Sequence, residues 1–247
     1  MKTKIKIYLN SLSEDILTLN IDCRGITILP NLTRFKNLKE LYCSDNKLSS
    51  LSTLPQSLEI LYCSGNKLTS LSDLTIFKNL KELYCSINEL TYLPSLPQSL
   101  EKIYCSNNKL TSLPTLPQNL KELICSNNQL TSLPTLPQNL IELYCFDNKL
   151  TYLPTLPEKI LYLIYWNNPI CNILDDNNNS LIKVKQNIKI LNNIRYLYYS
   201  LQFKKQLRKL LWEKVREKQI MDKYHPNYLL ENLEENTDLD NFLNNWL

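Results

Sequence analysis

The stretch Leu41-Tyr42-Cys43-Ser44-Asp45-Asn46-Lys47-Leu48 decides how the rest of the chain is read. It returns twenty residues later as Leu61-Tyr62-Cys63-Ser64-Gly65-Asn66-Lys67-Leu68. It returns again from Leu83, Ile103, Leu123 and Leu143, and in worn form from Leu163 to Ile170. A divergent earlier copy runs from Leu19 through Ile21 and Arg24 to Ile26. Two copies, 19–40 and 61–82, are 22 residues long and the others 20, which makes about eight units between residues 19 and 170. Self-similarity at such a period is the mark of a stacked repeat architecture.

Composition agrees with repetition and argues against most alternatives. Of 247 residues, 51 are leucine and 30 asparagine, with 2 glycines and no alanine. An ordinary α/β enzyme uses Gly and Ala freely for tight turns and close helix–sheet contacts, so this chain is not expected to be one. The net charge of +4, from 28 basic and 24 acidic residues, is too small to imply nucleic acid by itself. A hydrophobic content of 43% supplies a core. No apolar run reaches 18 residues, so no membrane-spanning helix is expected. The apolar stretch behind Lys2 and Lys4 is broken by Lys6 and Asn10, and no alanine offers a cleavage site. The expectation is a chain without a signal peptide, intracellular and cytoplasmic.

The pattern Leu-x-x-Leu-x-Cys-x-x-Asn-x-Leu resembles the leucine-rich repeat. Leu38, Leu41, Cys43, Asn46 and Leu48 fill its five defining positions, as do their counterparts in six successive copies. The connecting half, Leu113-Pro114-Thr115-Leu116-Pro117-Gln118-Asn119-Leu120, is similar to the short bacterial and viral subclass, whose outer segment is extended rather than helical. Physics points the same way. Twenty residues cannot hold a strand, two turns and a full helix, and the Pro-Thr-Leu-Pro run fixes φ and removes amide donors. Each unit should give one short parallel strand on a concave sheet, then an extended, polyproline-like return on the convex side. No unit can bury its own leucines, so stacking supplies the stability. At about 4.8 Å between strands, eight units make an arc roughly 35 Å long.

The organisation expected is a cap over residues 1–18, a repeat solenoid over 19–171 and a helical cap or docking region over 172–247. Two ladders inside the solenoid read as structural. Cys43, Cys63, Cys85, Cys105, Cys125 and Cys145 recur at a core-facing strand position, too far apart at one strand spacing for ordinary disulfides and without CxxC-like offsets for a metal. Asn46, Asn66, Asn88, Asn108, Asn128 and Asn148 form the second ladder. The resemblance implies that their side chains bond to the backbone of adjacent turns.

Function, if it lies in the solenoid, lies on residues that the strand period turns outward to the concave face. The first such column reads Glu40, Ile60, Glu82, Lys102, Glu122, Glu142, Tyr162, and the second Tyr42, Tyr62, Tyr84, Tyr104, Ile124, Tyr144, Ile164. In the third, serines at 44, 64, 86, 106 and 126 give way to Phe146 and Trp166. The fourth is Asp45, Gly65, Ile87, Asn107, Asn127, Asp147, Asn167. Tyrosine offers wide amphipathic area at low entropic cost, which suits recognition of a protein. The candidate binding residues are Tyr42, Tyr62, Tyr84, Tyr104, Tyr144, Phe146, Trp166, Glu82, Glu122 and Glu142. Equally, the tyrosines could simply cover a sheet surface, and Phe146 and Trp166 could receive the carboxy-terminal region.

Catalysis finds no footing. The one histidine, His225, sits in a polar segment, and two glycines cannot build a phosphate loop. No cofactor, metal or small-molecule substrate is expected, and the chain is expected to be monomeric. Related bacterial repeats are sometimes fused to a ubiquitin-ligase domain with a catalytic cysteine; here no cysteine follows Cys171, so that activity does not carry over.

Residues 180–223 hold 12 basic and 3 acidic residues, whereas 224–247 hold 5 acidic and none basic. Val184, Ile188, Leu191, Ile194, Tyr198 and Leu201 follow the helical period, and a second helix is expected to carry Phe203, Leu207, Leu210, Leu211 and Val215. Two functions follow. The first is a non-enzymatic module binding a protein on its concave face. The second is an adaptor whose basic helix, 203–223, binds an anionic membrane, nucleic acid or a helix-binding groove. The Tyr-Cys-Ser repeats and Asn/Lys/Ile-rich composition also resemble leucine-rich repeat proteins of giant amoeba-infecting DNA viruses of the mimivirus type.

Overall fold

A computed structural model describes residues 2–174 and 180–215 of the chain. The order is helix α1 (Lys2–Asn10), then eight strands, then a single 3-10 turn (Pro169–Asn172) and helix α2 (Leu181–Val215). The strands are β1 (Thr18–Asn20), β2 (Glu40–Tyr42), β3 (Ile60–Tyr62), β4 (Glu82–Tyr84), β5 (Lys102–Tyr104), β6 (Glu122–Ile124), β7 (Glu142–Tyr144) and β8 (Tyr162–Ile164). They form one parallel sheet in sequence order. Each residue pairs with its counterpart one repeat away, as Leu41 with Leu61 and Tyr42 with Tyr62. This is the stacked parallel arc that the repeat period predicts.

Each strand is three residues long, and the in-and-out alternation runs on past it through the cysteine and the residue after it. The middle residue of each strand from β2 to β7 is buried and its two neighbours are half-buried. The next inward position is the cysteine, and all six ladder cysteines from Cys43 to Cys145 are buried. The convex return is extended, closing with a tight turn in which, for example, the Leu100 amide donates to the Pro97 carbonyl at 3.3 Å. In the two longer units a phenylalanine fills the core instead, Phe35 and Phe77, both buried. Each follows a side-chain-bonded turn, in which Thr33 donates to Asn31 and Thr75 to Asp73.

Both ends of the stack are covered. At the start, α1 buries Ile5 and Leu9, and the Arg24 guanidinium lies 4.2 Å over the Tyr8 ring. Arg34 donates to the carbonyls of Leu9 and Leu12. At the far end, α2 buries Val184 and Ile188. The Lys185 ammonium donates to the Glu158 carbonyl at 2.9 Å and to that of Ile160 at 3.3 Å, and the Asn192 amide to Leu153 at 3.0 Å. Peptide carbonyls on the convex side of the copy that opens at Leu143 thus find donors on a helix.

The chain divides into two compact units, Met1–Asn192 and Asn193–Leu247. The first reaches into α2 because its opening turns dock on the last copy. One expectation changes. No second helix begins at Phe203, since α2 is unbroken from Leu181 to Val215; nothing between Ser200 and Phe203 is a helix breaker. The opening turns of α2 bond to Leu153, Glu158 and Ile160, and Trp166 is 50% and Tyr162 55% exposed. His225 and residues 216–223 of the basic segment lie outside the described residues.

Candidate protein-binding face

The asparagine ladder fixes the turn that follows each strand. Asn66 is typical: its side-chain amide donates to the carbonyls of Cys43, Cys63 and Ser64, and its oxygen accepts from the Leu48 amide at 3.0 Å. The same set recurs at Asn88, Asn108, Asn128 and Asn148. At Asn46 the oxygen accepts from Arg24 and Ile26. One side chain therefore ties a turn both to its own strand and to the preceding repeat.

That turn needs one residue in left-handed backbone. Asp45, Ile87, Asn107, Asn127, Asp147 and Asn167 have φ between 52° and 54°, and Gly65 has 64°. Asn, Asp and Gly tolerate this region; Ile87, a β-branched residue, does not without strain. The cysteine side of the ladder is dry. Burial pushes the thiols of Cys43 and Cys105 up to about 12 and those of Cys63, Cys85 and Cys125 well above the ordinary 9.0. Such thiols are packing groups, not nucleophiles.

On the opposite face the tyrosines form a continuous stack. Ring centroids of Tyr42 and Tyr62 are 4.7 Å apart at 10°, and those of Tyr62 and Tyr84 4.0 Å apart at 4°. Tyr84 and Tyr104 meet edge-on at 4.7 Å and 66°. The strand spacing imposes the distance, since rings at identical register on neighbouring strands must lie near 4.8 Å apart. Ile124 interrupts the column, and Tyr144 stands beyond it on β7.

Beside the rings runs the carboxylate column, and hydroxyls lock onto it. Tyr84 donates to Glu82 at 2.8 Å, Tyr104 to Glu122 at 2.6 Å and Tyr42 to Glu40 at 3.3 Å. Lys102 lies between two carboxylates, 3.2 Å from Glu122 and 3.8 Å from Glu82. Partial burial pushes both phenols far up; for Tyr84 the hydrogen bond with Tyr62 and then Glu82 add to it, and for Tyr104 the bond to Glu122, so these rings stay neutral donors. Lys102, bonded to Glu122, is held above the usual lysine range. The column holds four carboxylates, Glu40, Glu82, Glu122 and Glu142, and one ammonium, Lys102, which lies beside Glu82 and Glu122, so the column carries −3 within a chain of +4.

Toward β8 the character changes. Phe146 and Trp166 stack at 4.5 Å and 14°. In the worn last copy Tyr165 takes the cysteine position and is buried, and its carbonyl accepts from Asn168. The structure thus brings Tyr42, Tyr62, Tyr84, Tyr104, Glu82 and Glu122 into one bonded strip and sets Phe146 and Trp166 together further along the same sheet. Glu40 and Lys102 belong to that strip although spacing gave no reason to single them out; their place in the first column was the available signal. Among the described residues no group of three His, Cys, Asp or Glu side chains could hold a metal.

A sequence profile described as Leucine Rich repeats (2 copies) matches residues 56–98 and 98–138. The leucine-rich repeat domain of a Shigella effector is 34% identical, covering 70% of this chain and 78% of its own, with a TM-score of 0.56. The chain is a leucine-rich repeat protein. Its repeats are also similar to YopM from Yersinia enterocolitica WA-314, at 32% identity over 64% of this chain and 39% of that one, with a TM-score of 0.54. YopM from Yersinia pestis, a leucine-rich effector protein, is 34% identical over 62% of this chain and 49% of that one, with a TM-score of 0.52. This leucine-rich repeat chain spans less than half the length of either YopM chain. No curated protein matches it.

Proposed function

We propose that the protein is a non-enzymatic interaction module that binds a protein partner on the concave face of its solenoid. Leucine-rich repeat proteins generally mediate protein–protein interaction. The observation that carries the reading here is the strip of stacked tyrosines whose hydroxyls are bonded to Glu40, Glu82 and Glu122. Rings fixed by stacking and hydrogen bonds lose little side-chain entropy when a partner settles on them, which is how an anchor concentrates binding energy. The strip is acidic in a basic chain, so the partner's contacting segment is expected to carry Lys or Arg. Phe146 and Trp166 extend the surface as an apolar end.

The adaptor reading draws on Phe203, 64% exposed, followed at once by Lys204 and Lys205. The two readings separate in capture from cell lysate with the full chain. The double change Tyr84→Ala, Tyr104→Ala should abolish capture of the partner that wild type retains, each truncation costing about 1–3 kcal/mol. Reversal of Lys204, Lys205, Arg208 and Lys209 to Glu should leave capture intact. The opposite pattern, with capture unaffected by the tyrosine changes and lost on charge reversal, would overturn the concave reading.

A further inference from the structure

The tyrosine column carries a ring on every strand from β2 to β7 except β6, where Ile124 stands. An isoleucine side chain is shorter than a phenol, so the row of rings has a notch there, bounded by Tyr104 on β5 and Tyr144 on β7. Tyr42 and Tyr84 donate to Glu40 and Glu82 of their own strands, whereas Tyr104 donates to Glu122 of the next one, at 2.6 Å. The ring that stands 66° out of the stack is therefore the one that leans toward the notch. Ile124, Tyr144 and Glu142 are each half-buried, so the floor, the far wall and the carboxylate all reach the surface.

The carboxylates beside the notch are unequal. Glu122 accepts from Tyr104 and lies 3.2 Å from Lys102. Glu142, its register partner on β7, receives no hydrogen bond or ion pair among the described residues. From β4 to β7 the column reads acid, base, acid, acid: Lys102 separates Glu82 from Glu122, and no cation separates Glu122 from Glu142. Like charges at one register on neighbouring strands repel, so a cation placed here would complete the alternation. Partial burial, and for Tyr104 the Glu122 bond, raise the two bordering phenols. The Glu142 charge raises both further, so that carboxylate lies near both walls.

Rings on alternate strands lie about 9.6 Å apart, so a cation midway is about 4.8 Å from each, inside the roughly 6 Å reach of a cation–π contact. A flat guanidinium also stacks on rings and pairs two-pronged with a carboxylate. An ammonium, compact and strongly hydrated, does neither as well. We propose that this notch seats one arginine side chain of the partner, its guanidinium between the rings of Tyr104 and Tyr144 and paired with Glu142. The seat presupposes that the concave face binds the partner; it fixes which residue the partner must present and where that residue lands.

The test uses the full chain with isotopically labelled tyrosine rings. Acetyl-Gly-Arg-Gly amide and its citrulline and lysine counterparts are titrated in, and affinity is read from the ring signals of Tyr104 and Tyr144. The arginine probe should bind roughly tenfold more tightly than either counterpart. Glu142→Gln should weaken it by about as much. Ile124→Tyr, which fills the notch with the ring found on the neighbouring strands, should abolish binding, and Glu40→Gln should leave it unchanged. Equal affinity for the citrulline probe, a lysine probe as tight as the arginine one, or arginine binding that survives Ile124→Tyr would each overturn the seat. In capture from lysate, a partner lost with the Tyr84→Ala, Tyr104→Ala pair yet retained by Ile124→Tyr and by Glu142→Gln would overturn the seat and leave concave binding standing. A partner retained by the tyrosine pair would defeat concave binding itself, and the seat with it.

Discussion

At the scale of the single residue, the turn after each strand shows what the repeat tolerates. Its left-handed position is filled by Asp, Asn or Gly in most copies and by Ile87 in one, at φ 54°. A β-branched side chain there costs about 1–2 kcal/mol through its clash with the backbone, and Ile87 recovers little by packing, being 60% exposed. Ile87→Asn is therefore expected to stabilise the protein by about 1 kcal/mol, seen as a higher midpoint in urea. A lower midpoint would mean that Ile87 makes contacts worth more than its strain. Gly65 is the reverse case. A Cβ built there would press on the Asp45 carboxylate and close on its Cα, so a side chain at that position would have to displace the Asp45 side chain as well as accept the left-handed backbone.

At the scale of the element, the six cysteines of the column are raised by the same cause, burial on successive strands. The folded pKa of each thiol lies above its ordinary value, so the folded chain holds protons that the unfolded chain releases. The sign follows directly: stability is complete below about pH 9 and falls as pH rises towards the folded values, about 12 for Cys43 and Cys105. At pH 10, about one unit above the ordinary thiol value, each buried thiol costs on the order of 1 kcal/mol. The Tyr84 and Tyr104 phenols, also raised, add in the same direction. Urea midpoints should drop steeply between pH 9 and 11, and Cys85→Val should reduce the slope by the share of one thiol. A flat profile would contradict burial of the column. Strands and ladders of this kind were legible in the sequence because a period of 20 residues repeats the same inward positions. Helix α1 was not, since only Ile5 and Leu9 mark it within a lysine-rich run. The expectation of two helices rests on a change of apolar face between Leu201 and Phe203, and α2 runs through that point without a break because no residue there interrupts the backbone ladder. On the concave face, the columns could be read from strand alternation. The bonds from Tyr84 and Tyr104 to their carboxylates, and the bridge made by Lys102, depend on rotamers that spacing does not set.

At the scale of the whole molecule, stability passes from neighbour to neighbour, because each repeat touches only the two beside it. The ends then matter more than their size suggests. Ile188, 2% exposed, anchors α2 within the first unit. Ile188→Ala is expected to cost about 2–5 kcal/mol, and the loss should be local. Hydrogen exchange should quicken in β7 and β8 while β2 to β4 keep their protection. Uniform loss across the sheet would show a stack more cooperative than nearest-neighbour coupling allows.

The sameness of the units has a further cost during folding. Residues 111–120 and 131–140, both convex returns, are letter for letter the same, so either segment meets an equally good seat one repeat away. Within that stretch nothing local distinguishes the right docking from a slip by twenty residues. What distinguishes it is whatever cannot be duplicated: Phe35 and Phe77, each in a unit two residues longer, and the helices that close the ends. They act as page numbers in a book of nearly identical pages. A chain that lost them would still form every contact of its interior and would no longer know how to count.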